Sequence, residues 1–146
     1  MREILFRGQV RKRGQKVNMN GEKLPGVWVY GGIFPGTGDY SIIYGGATEK
    51  LTGLDLEKYV VWSDTVGQFT GLTDKNGKKI FEGDIVTISG SKMMGFPAPV
   101  AYFPQGAVFQ IRRNGYNAIT LWDANVTAEV IGNIHDNPEL LEVNHV

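Results

Sequence analysis

Apolar positions along this chain come in short runs of strand length, several of them alternating with polar residues, with no sustained i, i+3, i+4 spacing. That pattern predicts strands near 3–7, 27–33, 40–44, 59–62, 67–72, 79–81, 84–89, 99–103, 107–112, 116–122 and 126–134, with eleven as an upper count. Val27 to Tyr30 alternates aliphatic and aromatic residues on two faces. The run 116–122 places Tyr116, Ala118, Thr120 and Trp122 on one face. Both fit half-buried antiparallel sheet.

The punctuation between runs is equally informative. Asp74-Lys75-Asn76-Gly77 ends in an Asn-Gly pair that accepts positive φ at low cost, so it predicts a hairpin with antiparallel flanking strands. Residues 54–58 are compatible with a single helical turn. Asn137, Pro138 and Glu139 give a capping side chain, a pre-set φ and a first-turn carboxylate in order, which predicts a short helix from Pro138 to Glu142. Two stretches read as loops: Gly31 to Gly38, and Ser89 to Pro99. In the second, Met93, Met94 and Phe96 form either an adaptable surface for an apolar partner or a lid folded over the protein's own core.

Composition narrows the class. Twenty of 146 residues are glycine, about twice the usual roughly 7%, which implies many turns. The length suits one domain, taken as 1–146, and no linker, repeat or low-complexity tract divides it. With no cysteine there is no disulfide, thiolate nucleophile or cysteine-based metal site. Charged residues interrupt the apolar runs at the start of the chain, and nothing approaches the roughly 18 apolar residues of a membrane helix. A cytoplasmic location is the expectation.

Fifteen basic residues balance fifteen acidic ones, so the molecule lacks the overall positive field of a dedicated nucleic-acid binder. The ends differ. Residues 1–24 hold seven basic and two acidic residues, net +5, whereas 123–146 hold five acidic residues and no Lys or Arg, net −5. The first end reads either as a basic binding arm or as the charge partner of the second, within one chain or between subunits.

Candidate chemistry is sparse. Asp74, Glu82 and Asp84 could form a carboxylate cluster for acid–base or metal-assisted chemistry. The plainer reading is turn chemistry, with Gly71, Gly77 and Gly83 supplying turns or bulges and Asp84 accepting turn amides. His135 with Asp136 and Glu139 lacks a convincing metal-ligand spacing. There is neither a Gly-x-Ser-x-Gly elbow nor a Walker loop. No enzyme activity, metal, cofactor or small-molecule ligand is expected.

Four segments carry a family likeness: Ile4-Leu5-Phe6-Arg7-Gly8, Trp28-Val29-Tyr30-Gly31, the stretch from Thr65 to Val86, and Val130 to Leu141. With these the chain resembles the YopX-like family of bacteriophage and prophage proteins. The resemblance implies a mainly β, antiparallel, barrel-like domain in a phage or prophage setting, without an established biochemical activity. The Glu82-Gly83-Asp84-Ile85-Val86 turn is similar to the turn into a strand of small SH3-like barrels.

Two binding functions follow as expectations. The first is a non-enzymatic self-assembling or protein-binding module, with a second copy or a phage or host protein as partner. The second is a nucleic-acid-binding accessory protein, in which Arg11, Arg13, Lys75, Lys78, Lys79, Arg112 and Arg113 follow the backbone and Tyr116 stacks on bases.

Overall fold

The computed structural model describes residues 3–10, 27–36, 38–49, 57–88, 96–112, 118–124 and 127–142. Its strands are β1 (Phe6–Gln9), β2 (Trp28–Phe34), β3 (Tyr40–Gly46), β4 (Glu57–Trp62), β5 (Gly67–Thr73), β6 (Lys79–Phe81), β7 (Asp84–Ile88), β8 (Ala98–Phe103), β9 (Val108–Ile111), β10 (Ile119–Thr120) and β11 (Ala128–Asn133). Each overlaps one of the windows drawn from the sequence pattern, and every pairing is antiparallel. The chain divides into two compact units, Glu3–Gln68 and Phe69–Val146.

In the first unit the strand order is β4-β3-β2-β1, with the start of β5 beside β1. Val29, Ile43 and Val61 form the core of its inner face, with Val10, Ile33, Tyr59 and Val66 packed around them. Val10 also makes an isolated antiparallel bridge to Val61, so the chain after β1 curls back toward β4. Gly8 sits inside that curl. A Cβ there would lie 2.9 Å from Val61 Cγ2 and 3.2 Å from Ile43 Cδ1, too close for an unshifted side chain. Thr65, in a 3-10 turn over Ser63–Thr65, accepts the Gln9 N–H at 2.9 Å and donates to the Trp62 carbonyl at 2.6 Å. One buried hydroxyl thus ties the end of β1 to the end of β4.

In the second unit, β5 continues into a hairpin with β6, Phe69 facing Phe81 and Thr73 facing Lys79 across an irregular register. A five-stranded sheet follows, in the order β10-β9-β8-β7-β11. Its core holds Ile80, Val86, Ile88, Ala98, Val100, Ile111, Leu121 and Ala128. β11 carries a bulge between Val130 and Gly132.

Five expectations are corrected. The sheets are open and no closed barrel forms among the described residues. The physical reason lies at the Glu82-Gly83 corner, which turns the chain out of the β5–β6 hairpin and into a different sheet. Gly83, at φ +91°, donates its N–H to Val100 O at 2.8 Å and accepts from the Ile134 N–H at 2.9 Å, while Asp84 Oδ2 accepts the Phe81 N–H at 2.7 Å. The C-terminal helix is replaced by a 3-10 turn, Pro138–Leu141. Asn137 Oδ1, the expected cap, instead accepts the Asn133 N–H at 3.2 Å, and the turn closes through Leu140 N–H to Asn137 O and Glu142 N–H to Glu139 O.

The run 116–122 is strand only at Ile119–Thr120. A helical turn over Leu121–Ala124 follows, burying Leu121 and leaving Trp122 66% exposed. Finally, Glu57 and Lys58 extend β4 opposite Gly45 and Tyr44, so they form no part of a helical turn. The expected Gly31 loop likewise begins later, because Gly31 and Gly32 lie within β2.

Candidate interaction surface

β2, β3 and β4 are apolar on both faces. Their inner positions fill the core described above. Their outer positions follow from the register, which sets Phe34 opposite Ile42 and Ile42 opposite Val60, a three-residue apolar row crossing three strands. On one side of that row Tyr40 faces Trp62, the rings 5.1 Å apart and tilted by 40°. On the other side Gly32, Tyr44 and Lys58 stand in line. Phe34 is 63% exposed, Tyr44 49% and Val60 44%. A side chain at Gly32 would meet nothing within 4 Å, so the space over this part of the face is open.

Toward β1 the same outer face closes down. Arg7 faces Tyr30 across the ladder, is buried, and lays its guanidinium 4.7 Å from the Trp28 ring centre. Stacking a cation on an aromatic face lets the charge sit in a largely desolvated place. The aromatic surface is therefore split between a covered Arg7–Trp28 end and an open end at Phe34, Tyr44 and Val60.

Charge is distributed unevenly around the open end. Lys58 stands beyond Tyr44, whereas Asp39 and Asp64 are exposed near the opposite, Tyr40–Trp62 end. Glu57 is directed to the Tyr59 hydroxyl, which donates to its Oε2 at 3.2 Å.

The residues singled out by sequence fall elsewhere. Arg11, Arg13, Arg113, Tyr116, Met93 and Met94 lie outside the described residues. Phe96 is exposed just before β8. Lys75, Lys78 and Lys79 share the β5–β6 hairpin, but Lys75 Nζ pairs with Glu129 at 3.5 Å and Lys79 Nζ lies 5.3 Å from the Phe69 ring centre. Arg112 follows β9. The hairpin turn lies against β11, and β7 and β8 stand between β11 and β9 in the sheet order.

The carboxylates are engaged in turns. Asp74 is buried, and its Oδ1 accepts the N–H groups of Asn76 at 2.8 Å and Lys78 at 3.0 Å, while Oδ2 accepts the Val130 N–H at 2.9 Å. Burial alone would raise its pKa. The three backbone N–H groups, aided by the Lys78 charge, outweigh it and hold the carboxyl below its ordinary value. Asp84 accepts the Phe81 amide, as expected for turn chemistry. His135 is half-buried in a turn where Asn133 Oδ1 accepts the N–H groups of both His135 and Asp136. Among the described residues, no group of three or more His, Asp or Glu side chains is placed to hold a metal ion. Among them also, no helix is long and apolar enough to cross a membrane.

Sequence reasoning missed the outer face of β2–β4. The signal was present, because 40–44 carries Tyr, Ile and Tyr at alternate positions and Ser and Ile between them. A strand apolar on both faces is buried on both sides or meets a partner.

A family model described as YopX protein matches residues 28–142. No curated protein matches the chain. Among solved structures, the crystal structure of protein EF1440 from Enterococcus faecalis is 25% identical, with 96% of this chain and 99% of that chain covered and a TM-score of 0.46.

Proposed function

The chain belongs to the YopX protein family, and from that premise we propose that it is a non-enzymatic binding module that pairs with a second copy of itself through the outer face of β2–β4. Its setting in this reading is the cytoplasm of a bacterial host carrying phage genes. The observation that carries the reading is the apolar row Phe34–Ile42–Val60, exposed at Phe34 and Val60 and half-buried at Ile42, with the exposed Tyr44 beside it. Contiguous exposed apolar surface of this kind, rich in aromatic residues and edged by charge, is characteristic of interfaces.

Charge complementarity favours a second copy as the occupant. A two-fold rotation about the apolar row sets Lys58 of each copy over the Asp39 and Asp64 end of the other. In this reading the pairing is weak and reversible, as contacts well below the roughly 800 Å² per partner of a standard interface are.

Sedimentation equilibrium over a wide concentration range tests this, using the wild type and Gly32→Glu. The substituted side chain enters open space, so the fold stays intact while a charge stands on the face. The expected result is a mass that rises with concentration for the wild type and stays monomeric for Gly32→Glu. A wild type that remains monomeric, or a variant that associates equally well, overturns the reading.

The second reading, nucleic-acid binding, draws on the basic hairpin with Lys79 against Phe69. Fluorescence anisotropy of labelled single- and double-stranded DNA and RNA separates the two. Affinity that falls log-linearly with salt supports phosphate contacts, and flat signals at low salt exclude them.

A further inference from the structure

Among the described residues β11 is the outermost strand of its sheet, with β7 on its inner side. Such an edge ordinarily offers unpaired N–H and C=O groups to any passing strand. Here two of them are taken. The Ala128 carbonyl accepts the Lys75 N–H at 2.9 Å, and the Val130 N–H donates to Asp74 Oδ2 at 2.9 Å.

In a parallel ladder, one residue of an added strand fills two such positions. It gives its N–H to the carbonyl before the residue it faces and receives the N–H after it. The Asp74-Lys75 turn does the same around Glu129, with a carboxylate oxygen standing where a backbone carbonyl would be. Lys75 Nζ then reaches Glu129 Oε2 at 3.5 Å on the same stretch. Asp74 Oδ1 meanwhile holds the turn in shape through the Asn76 and Lys78 amides.

We propose that the Asp74-Lys75 turn is an edge guard: it occupies the hydrogen-bonding slot around Glu129 on β11, and once it is displaced that edge pairs with the β11 edge of a second copy. An antiparallel two-fold pairing centred on Val130 sets Glu129 of each copy opposite Ile131 of the other, so the two carboxylates do not face each other. Ile131 is partly exposed already, at the bulge. This pairing uses different residues from the β2–β4 face and does not depend on it.

The test is Lys75→Pro in the Gly32→Glu background, which removes pairing through the other face. Proline is compatible with the second position of the turn, and it replaces the N–H given to Ala128 by a ring methylene that crowds this carbonyl and pushes the turn off the edge. Circular dichroism checks folding and sedimentation velocity reads association. The expected result is a folded protein that self-associates over the concentration range in which Gly32→Glu alone stays monomeric. A folded variant that stays monomeric over the same range overturns the proposal. Should Lys75→Pro not fold, amide hydrogen exchange on the wild type decides. Val130 protected to the level of the paired β11 amides supports the guard, and Val130 exchanging at the rate of an unbonded amide overturns it.

Discussion

Asp74 and Val130 stand 56 positions apart in sequence, yet Oδ2 of the first accepts the backbone N–H of the second at 2.9 Å. With two further N–H groups on Oδ1, one buried carboxylate fixes its own turn and fastens that turn to a distant strand. Asp74→Ala leaves three amide donors without their acceptor and is expected to cost about 3 kcal/mol or more, measured by urea unfolding at pH 7.

The same carboxyl sets a pH dependence. Its folded-state pKa lies below the ordinary value, the backbone N–H groups overriding the effect of burial. Its stabilisation is therefore complete above the unfolded value of about 3.9 and is lost as pH falls through the folded value. The stability difference between wild type and Asp74→Asn should be constant from neutral pH down to about 5 and shrink below about 4. A difference that grows on acidification would contradict this account.

Gly8 and Val61 define the curl of the first unit. Gly8→Ala places a Cβ 2.9 Å from Val61 Cγ2 and is expected to cost about 1–3 kcal/mol. Val61→Ala also destabilises, by emptying the core. The two together should cost measurably less than their sum, because shortening Val61 makes room for the new methyl. A double-mutant cycle in urea reads that coupling.

Glycines 32 and 45 make a contrast within one sheet. A Cβ on Gly45 would fall on the Tyr30 carbonyl oxygen of the paired strand, so Gly45→Ala should break the β2–β3 ladder and leave the protein unfolded or insoluble. Gly32→Ala enters open space and should stay within about 0.5 kcal/mol of wild type in thermal unfolding.

At the C-terminal end, Asn137→Ala removes the oxygen that receives the Asn133 N–H. The expected cost is about 1 kcal/mol in urea unfolding, with faster hydrogen exchange confined to 133–142.

The contrast between alternating and punctuating residues explains what the sequence disclosed. Strand positions were legible because β pairing imposes a two-residue period that the chain obeys from Trp28 to Asn133. The hairpin at Asp74 was legible because Gly77 takes a positive φ, +80°, that few other residues adopt cheaply. The role of Asp74 as a fastener was not, since nothing local marks Val130 as its partner. The same holds for Asn137, whose side chain reads as a helix cap until Asn133 claims it. Openness of the sheets was hidden in the Gly83 corner, where bonds to Val100 and Ile134 redirect the chain. The apolar Phe34–Ile42–Val60 row needed the register, because composition alone does not say which of two apolar faces is covered.

β5 changes neighbours partway along its length. Gly67 and Gln68 pair with Arg7 and Phe6, whereas Phe69 and Thr73 pair with Phe81 and Lys79. A cut between Gln68 and Phe69 therefore severs a strand, not a connector, and each fragment would carry half a ladder with raw ends. Expressing either half alone should yield sticky, poorly folded material. In evolutionary terms, a recombination joint at this point would be disfavoured, and the sequence on both sides of it would be inherited as a single block.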